Sequence, residues 1–158
     1  MKATVKWNSG LAFTGIAKSI IPIPIDADAS LGGSNSGVQP MEMIAMGLTA
    51  CIGMDVLSIL QKKRQAVTSL DVNFDAPRSP EHPKVFTSAV ITILLAGKAI
   101  DETALLRSIE LSVTKYCAAY AVLEKAFPIS VCYEIYEDEW DGTRRLTCQG
   151  RWQEMMQG

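Results

Sequence analysis

Apolar and polar residues alternate with period two over Ala3 to Trp7 and again over Leu11 to Ala17, with Asn8-Ser9-Gly10 between them. That pattern predicts two strands joined as a hairpin. Ile20 to Ile25 carries Pro22 and Pro24, which predicts an extended edge strand or connector because proline cannot donate to a sheet ladder. Ser30 to Gly37 (SLGGSNSG) predicts a loop. It lacks the lysine and the hydroxyl partner of a phosphate-binding loop, so it reads as a surface segment leading into a helix.

From Pro40 the pattern changes. Met43, Ile44, Met46, Leu48, Ile52, Met54, Val56, Leu57, Ile59 and Leu60 cover every face of a helix running to about Lys63. Pro40 suits a first helical turn, and Lys62, Lys63 and Arg64 suit a helix C-terminus. A helix apolar all round is buried all round, and a chain of 158 residues has little with which to surround it. The pattern therefore predicts a partner subunit, most simply a symmetric homodimer.

Downstream, Leu70 to Asp75 alternates cleanly, Ala76 to Lys84 holds three prolines, and Val85 to Leu95 is rich in β-branched residues. These predict a strand, a loop and a longer strand. Asp101 can cap a helix to about Thr114 with the core stripe Leu105, Leu106, Ile109 and Val113. A short helix then begins near Cys117 and ends before Pro128, and Ile129 to Tyr136 predicts a closing strand. The order gives an α+β fold with antiparallel sheets, a single domain over residues 1–136 and a polar tail over 137–158 that the pattern leaves without an element.

Composition narrows the chemistry. Hydrophobic residues are 48% and charged residues 20% of the chain, with a formal net charge of -2, which is ordinary globular composition with no nucleic-acid signature. Asp55, together with glycines and threonine, interrupts the apolar run from Met43 to Leu60, which argues for a core helix rather than a membrane span. The N-terminus has no secretory pattern, and the four cysteines (51, 117, 132 and 148) show no short-loop framework, so reduced thiols in the cytoplasm are expected. His82 is the only histidine and no Cys spacing suits zinc, so neither a metal nor a cofactor is expected.

The thiols remain as candidate chemistry. Cys51 taken alone reads as packing, since free cysteine behaves as a small hydrophobe. A second thiol within reach changes that: a thiolate attacks a peroxide O–O bond, becomes a sulfenic acid, and condenses with its neighbour to a disulfide. Cys117, near the start of its helix, is well placed for a lowered pKa, whereas Cys51 in mid-helix needs a cation from elsewhere.

Two segments carry a resemblance. PMEMIAMGLTAC over Pro40 to Cys51, followed by DVLSIL from Asp55, resembles the central helix of the osmotically inducible protein C and organic hydroperoxide resistance (OsmC/Ohr) family. RSIELSVTKYC over Arg107 to Cys117 resembles that family's second thiol motif. The likeness covers about residues 1–136 and is nearest the YhfA-like branch. It implies an intertwined homodimer with two long helices at its centre and antiparallel sheets wrapped outside. It implies Cys51 as peroxidatic thiol and Cys117 as resolving thiol, in two sites at the subunit interface. The implied reaction is reduction of small organic hydroperoxides with a dithiol reductant and without haem, metal or flavin.

Two positions depart from the family pattern. Active members hold the thiolate with an N-terminal arginine paired to a glutamate directly after the helix-opening proline. Here the first arginine is Arg64, and Met41 follows Pro40. Lys18 stands as a substitute without arginine's planar fork. Glu42 is one position further along, on a different face from the family's glutamate, and reads either as a supporting site residue or as an N-terminal helix charge favoured by the dipole. Asp55, at i+4 from Cys51, shares its face, and Tyr116 flanks Cys117 as a pocket wall or proton donor. Three readings follow: a thiol peroxidase, a redox-sensing or ligand-binding member of the same fold, and a structural dimer whose cysteines only pack.

Overall fold

The computed structural model describes residues 1–152. The chain forms two compact units, Met1–Met46 and a second that begins at Gly47. In the first, β1 (Ala3–Ser9) and β2 (Ala12–Ala17) form the expected antiparallel hairpin, turning through Gly10 at φ 52. The strand β3 (Ile23–Ile25) lies at the edge of this sheet, with Pro24 opposite Thr14. The loop that follows is organised by Asp26, whose buried carboxylate accepts the amides of Ala27, Ser34 and Ser36 and the hydroxyls of both serines. The Ser34 hydroxyl is the largest of these influences, and together they hold the carboxyl far below the usual carboxylate range.

The helix α1 runs Pro40–Lys62 and opens on its proline. By length and composition it would also pass for a membrane span. Its buried positions, Leu48, Ile52, Val56 and Leu60, recur every four residues and form one stripe, while Met54 between them is 67% exposed. The chain thus covers one face of a helix that is apolar on all of them.

In the second unit a four-stranded sheet has the order β4 (Ala66–Asp75), β5 (Ala89–Lys98), β6 (Ile129–Asp138), β7 (Arg144–Arg151). Ile91, Ile93 and Leu95 of β5 and Val131, Tyr133 and Ile135 of β6 alternate inward and join the α1 stripe in one core. Leu105 and Ile109 of α2 (Glu102–Leu111) complete it. Gly53 lets α1 approach β4, since a β-carbon there would lie 3.2 Å from Val72 Cγ2.

The sheet departs from expectation in two respects. It is not wholly antiparallel: β5 and β6 run parallel, because the connection between them is the crossover that contains α2 and α3 (Ala118–Leu123). The segment after Glu137 also has an element, since β7 pairs antiparallel with β6. Strand limits shift as well. The strand β5 begins at Ala89 rather than Val85, because the proline-rich loop stays engaged through an isolated bridge between Arg78 and Phe86. The Asp101 cap is as expected, its carboxylate accepting the Thr103 amide at 2.9 Å.

Ile52→Ala is expected to cost about 2–5 kcal/mol in denaturant unfolding, with an unchanged slope. For Asp26, a carboxyl depressed in the folded state adds stability that is complete above its unfolded pKa, about 4, and is lost as pH falls below it. The melting-temperature gap between wild type and Asp26→Asn should therefore narrow on acidification below about pH 4, as calorimetry would read.

Candidate functional site

The interior of α1 sets the first part of the site. Cys51 and Asp55 stand one turn apart and half-buried, on a face adjoining the packed stripe. The second part comes from the far end of α2. After Leu111 the helix loosens into a π-helical turn, Ser112–Tyr116, and ends at Cys117, whose amide donates to the Ser112 carbonyl five residues back at 2.8 Å. Cys117 leaves the helical region (φ -74, ψ 98) and becomes the N-cap of α3, its sulfur accepting the Tyr120 amide at 3.3 Å. A thiol in place of the usual Ser or Asp is a weak cap, which ties the sulfur to this position without ionising it.

These elements bring three groups together. Cys51 Sγ, Cys117 Sγ and a carboxylate oxygen of Asp55 all lie within 4.8 Å of one another. Both thiols are reduced. The Ser112 hydroxyl donates to Asp55 Oδ2 at 3.0 Å and fixes the carboxylate beside the sulfurs. Ser112 is fully buried and is the site residue that reading the chain does not single out. Its signal is only its place five residues before Cys117, where it serves both the π-turn and Asp55.

The electrostatics separate the two sulfurs. Cys117 is pushed up to about 12, first by burial, then by its hydrogen bond to Cys51, and in smaller part by the charges of Cys51 and Asp55. The helix-start position therefore does not lower this thiol as the sequence suggests, because burial and acidic neighbours outweigh the Tyr120 amide. Cys117 is thereby held against ionisation.

The other sequence-selected residues sit differently. Lys18 lies in the exposed turn after β2, in the first unit. Glu42, also in that unit, folds back so that Oε2 accepts the Gln39 amide at 2.9 Å, which makes it the closing residue of a helix N-cap. Tyr116 is half-exposed, with Lys115 Nζ 5.4 Å from its ring centre. Cys148 belongs to another knot: it donates to Glu102 Oε1 at 2.7 Å, and Tyr133 donates to the same oxygen at 2.5 Å. That bond to Glu102, followed by burial, raises the Cys148 thiol, and the knot ties the first turn of α2 to β6 and β7.

Residues 33–131 match the family described as OsmC-like protein. The chain is 36% identical to protein YhfA of Escherichia coli K12 over 135 residues, covering 85% of this chain and 98% of that one. Among solved structures it resembles a hypothetical protein from Aquifex aeolicus VF5 at 25% identity and a TM-score of 0.76, over 87% of this chain and 97% of that one. It also resembles an organic hydroperoxide resistance protein OsmC from Legionella pneumophila at 10% identity and a TM-score of 0.60, over 85% and 96% of the two chains, which is a likeness of fold.

The thiolate absorbance of Cys117 should keep rising well above pH 9 in a titration of the Cys132→Ser/Cys148→Ser protein. Removing a nearby negative charge favours ionisation, so Asp55→Asn should move that rise to lower pH.

Proposed function

The chain belongs to the OsmC-like family, and from that membership and its paired sulfurs we propose that it is a thiol redox protein that reduces organic hydroperoxides through Cys51 and Cys117. Family membership carries the coarser part, a redox or peroxide-related role. The observation that carries the finer part is the closeness of two reduced sulfurs from different elements, one of which is held against ionisation.

In this mechanism the Cys51 thiolate attacks the terminal oxygen of the hydroperoxide. The O–O bond breaks, Cys51 becomes a sulfenic acid, and the alkoxide takes the Cys117 proton and leaves as alcohol. The Cys117 thiolate then attacks the Cys51 sulfur and hydroxide departs, leaving a disulfide. An external dithiol supplies two electrons and two protons to restore both thiols. No step calls on haem or flavin. No arginine precedes Arg64, whereas active members of the resembled family hold the thiolate with an N-terminal arginine. That observation favours a second reading, in which the pair senses oxidants by cycling once between dithiol and disulfide without efficient turnover.

The unit that acts is, in this proposal, a homodimer in the cytoplasm, where thiols stay reduced. The uncovered apolar face of α1 around Met54 supports self-association over a membrane role, because a second copy offers the same apolar face in return. Wild type should sediment as a dimer and Met54→Glu as a monomer. A monomeric wild type at micromolar concentration would count against the dimer.

Purified protein should consume cumene hydroperoxide with dithiothreitol as reductant, and Cys51→Ser should abolish that consumption. Cys117→Ser should leave a Cys51 sulfenic acid that dimedone traps. Turnover no faster than the protein-free control, with both thiols shown to be reduced, would leave the sensing reading in place of the peroxidase one.

A further inference from the structure

We propose that Cys51, Asp55 and Cys117 form a binding site for a borderline-soft divalent metal ion, with zinc as the ion tested. Their ligand atoms, two sulfurs and one carboxylate oxygen, all lie within 4.8 Å of one another. Tetrahedral zinc, with bonds of about 2.3 Å to sulfur and about 2.1 Å to oxygen, sets such ligands roughly 3.5–3.8 Å apart. Closing on an ion therefore takes about 1 Å of side-chain movement. Three protein ligands leave a fourth position for water or an exogenous group, the composition of an open zinc site.

The surroundings fit an ion on two further counts. The Ser112 hydroxyl holds Asp55 Oδ2 at 3.0 Å, the kind of outer hydrogen bond that orients a ligating carboxylate. Two thiolates and a carboxylate converging at this distance repel one another. A divalent ion puts positive charge where the three ligands converge. The spacing of Cys and His along the chain shows no metal motif because the set is assembled from α1 and from the N-cap of α3, which stand far apart in the chain rather than in one short loop. Its ligand types, two thiolates and one carboxylate, suit zinc better than magnesium or calcium, which take oxygen ligands.

Binding is an exchange. The thiols release their protons to solvent as two Zn–S bonds form, while Asp55 contributes an existing carboxylate, so affinity rises with pH. The site rests on the proximity of the three groups. Protection of the sulfurs from peroxide by bound zinc rests in addition on the redox reading above.

The test is anaerobic cobalt(II) titration of the reduced protein. The expected result is one ion per chain, with thiolate-to-cobalt charge transfer and the intense visible bands of a tetrahedral site, both displaced by zinc. Charge transfer should fall in Cys51→Ser and in Cys117→Ser, vanish in the double variant, and persist in Cys132→Ser and Cys148→Ser. Ser112→Ala should weaken cobalt binding on the order of 10- to 100-fold. Circular dichroism reports whether each variant folds. Should the double variant unfold, alkylation of wild type decides, with zinc shielding Cys51 and Cys117 but not Cys132. No charge transfer in wild type, bands that survive in a folded double variant, or alkylation that zinc does not slow at Cys51 and Cys117 would overturn the site. A protein that consumes peroxide but binds no cobalt loses only this site. One that binds cobalt but consumes no peroxide loses only the peroxidase reading.

Discussion

The proposed chemistry of this protein depends on two sulfurs and a carboxylate held within 4.8 Å of one another in a half-buried setting. Three acidic groups at that distance cannot all be ionised without a cation. Burial and the hydrogen bond to Cys51 oppose ionisation of Cys117, and the Ser112 hydroxyl satisfies Asp55. The proposed peroxide reduction and the proposed metal binding both draw on these same three side chains.

The fold serves this arrangement by making its two halves rigid for different reasons. Leu48, Ile52, Val56 and Leu60 lock α1 into the core and fix the rotation that presents Cys51 and Asp55. On the other side, α2 is held by its Asp101 cap and by the Glu102 knot with Tyr133 and Cys148, so its last turn is delivered to a defined place. The π-turn then does what a regular helix end would not. It makes its closing bond five residues back and releases Cys117 from helical geometry, with its sulfur turned to the Tyr120 amide.

Local rules made much of this legible. Pro40 marks the start of α1, Asp101 caps α2, and the glycine and asparagine between Trp7 and Leu11 mark the first hairpin, each because one residue type satisfies one backbone requirement. The two cysteines were legible through the motifs around them rather than through any spacing. What stayed hidden was non-local. No periodicity states that β5 and β6 pair in parallel, since that follows from where the crossover lands. The strand β7, RRLTCQGR, is exposed at most of its positions and polar at alternate positions and beyond, so it reads as tail until β6 offers it a ladder. Ser112 and Asp55 stand 57 positions apart, and their bond exists only once α1 and α2 are packed. Glu42 serves the helix N-terminus, in line with its reading as a first-turn charge, by accepting the Gln39 amide.

The most direct measurement is mass spectrometry of the reduced protein after brief exposure to one equivalent of an organic hydroperoxide, digested under acid conditions that prevent thiol exchange. The account predicts one dominant new species, a disulfide joining the peptides of Cys51 and Cys117, with Cys132 and Cys148 still reduced. Oxidation confined to Cys132 or Cys148, or a Cys51 that stays a thiol while peroxide persists, would contradict it.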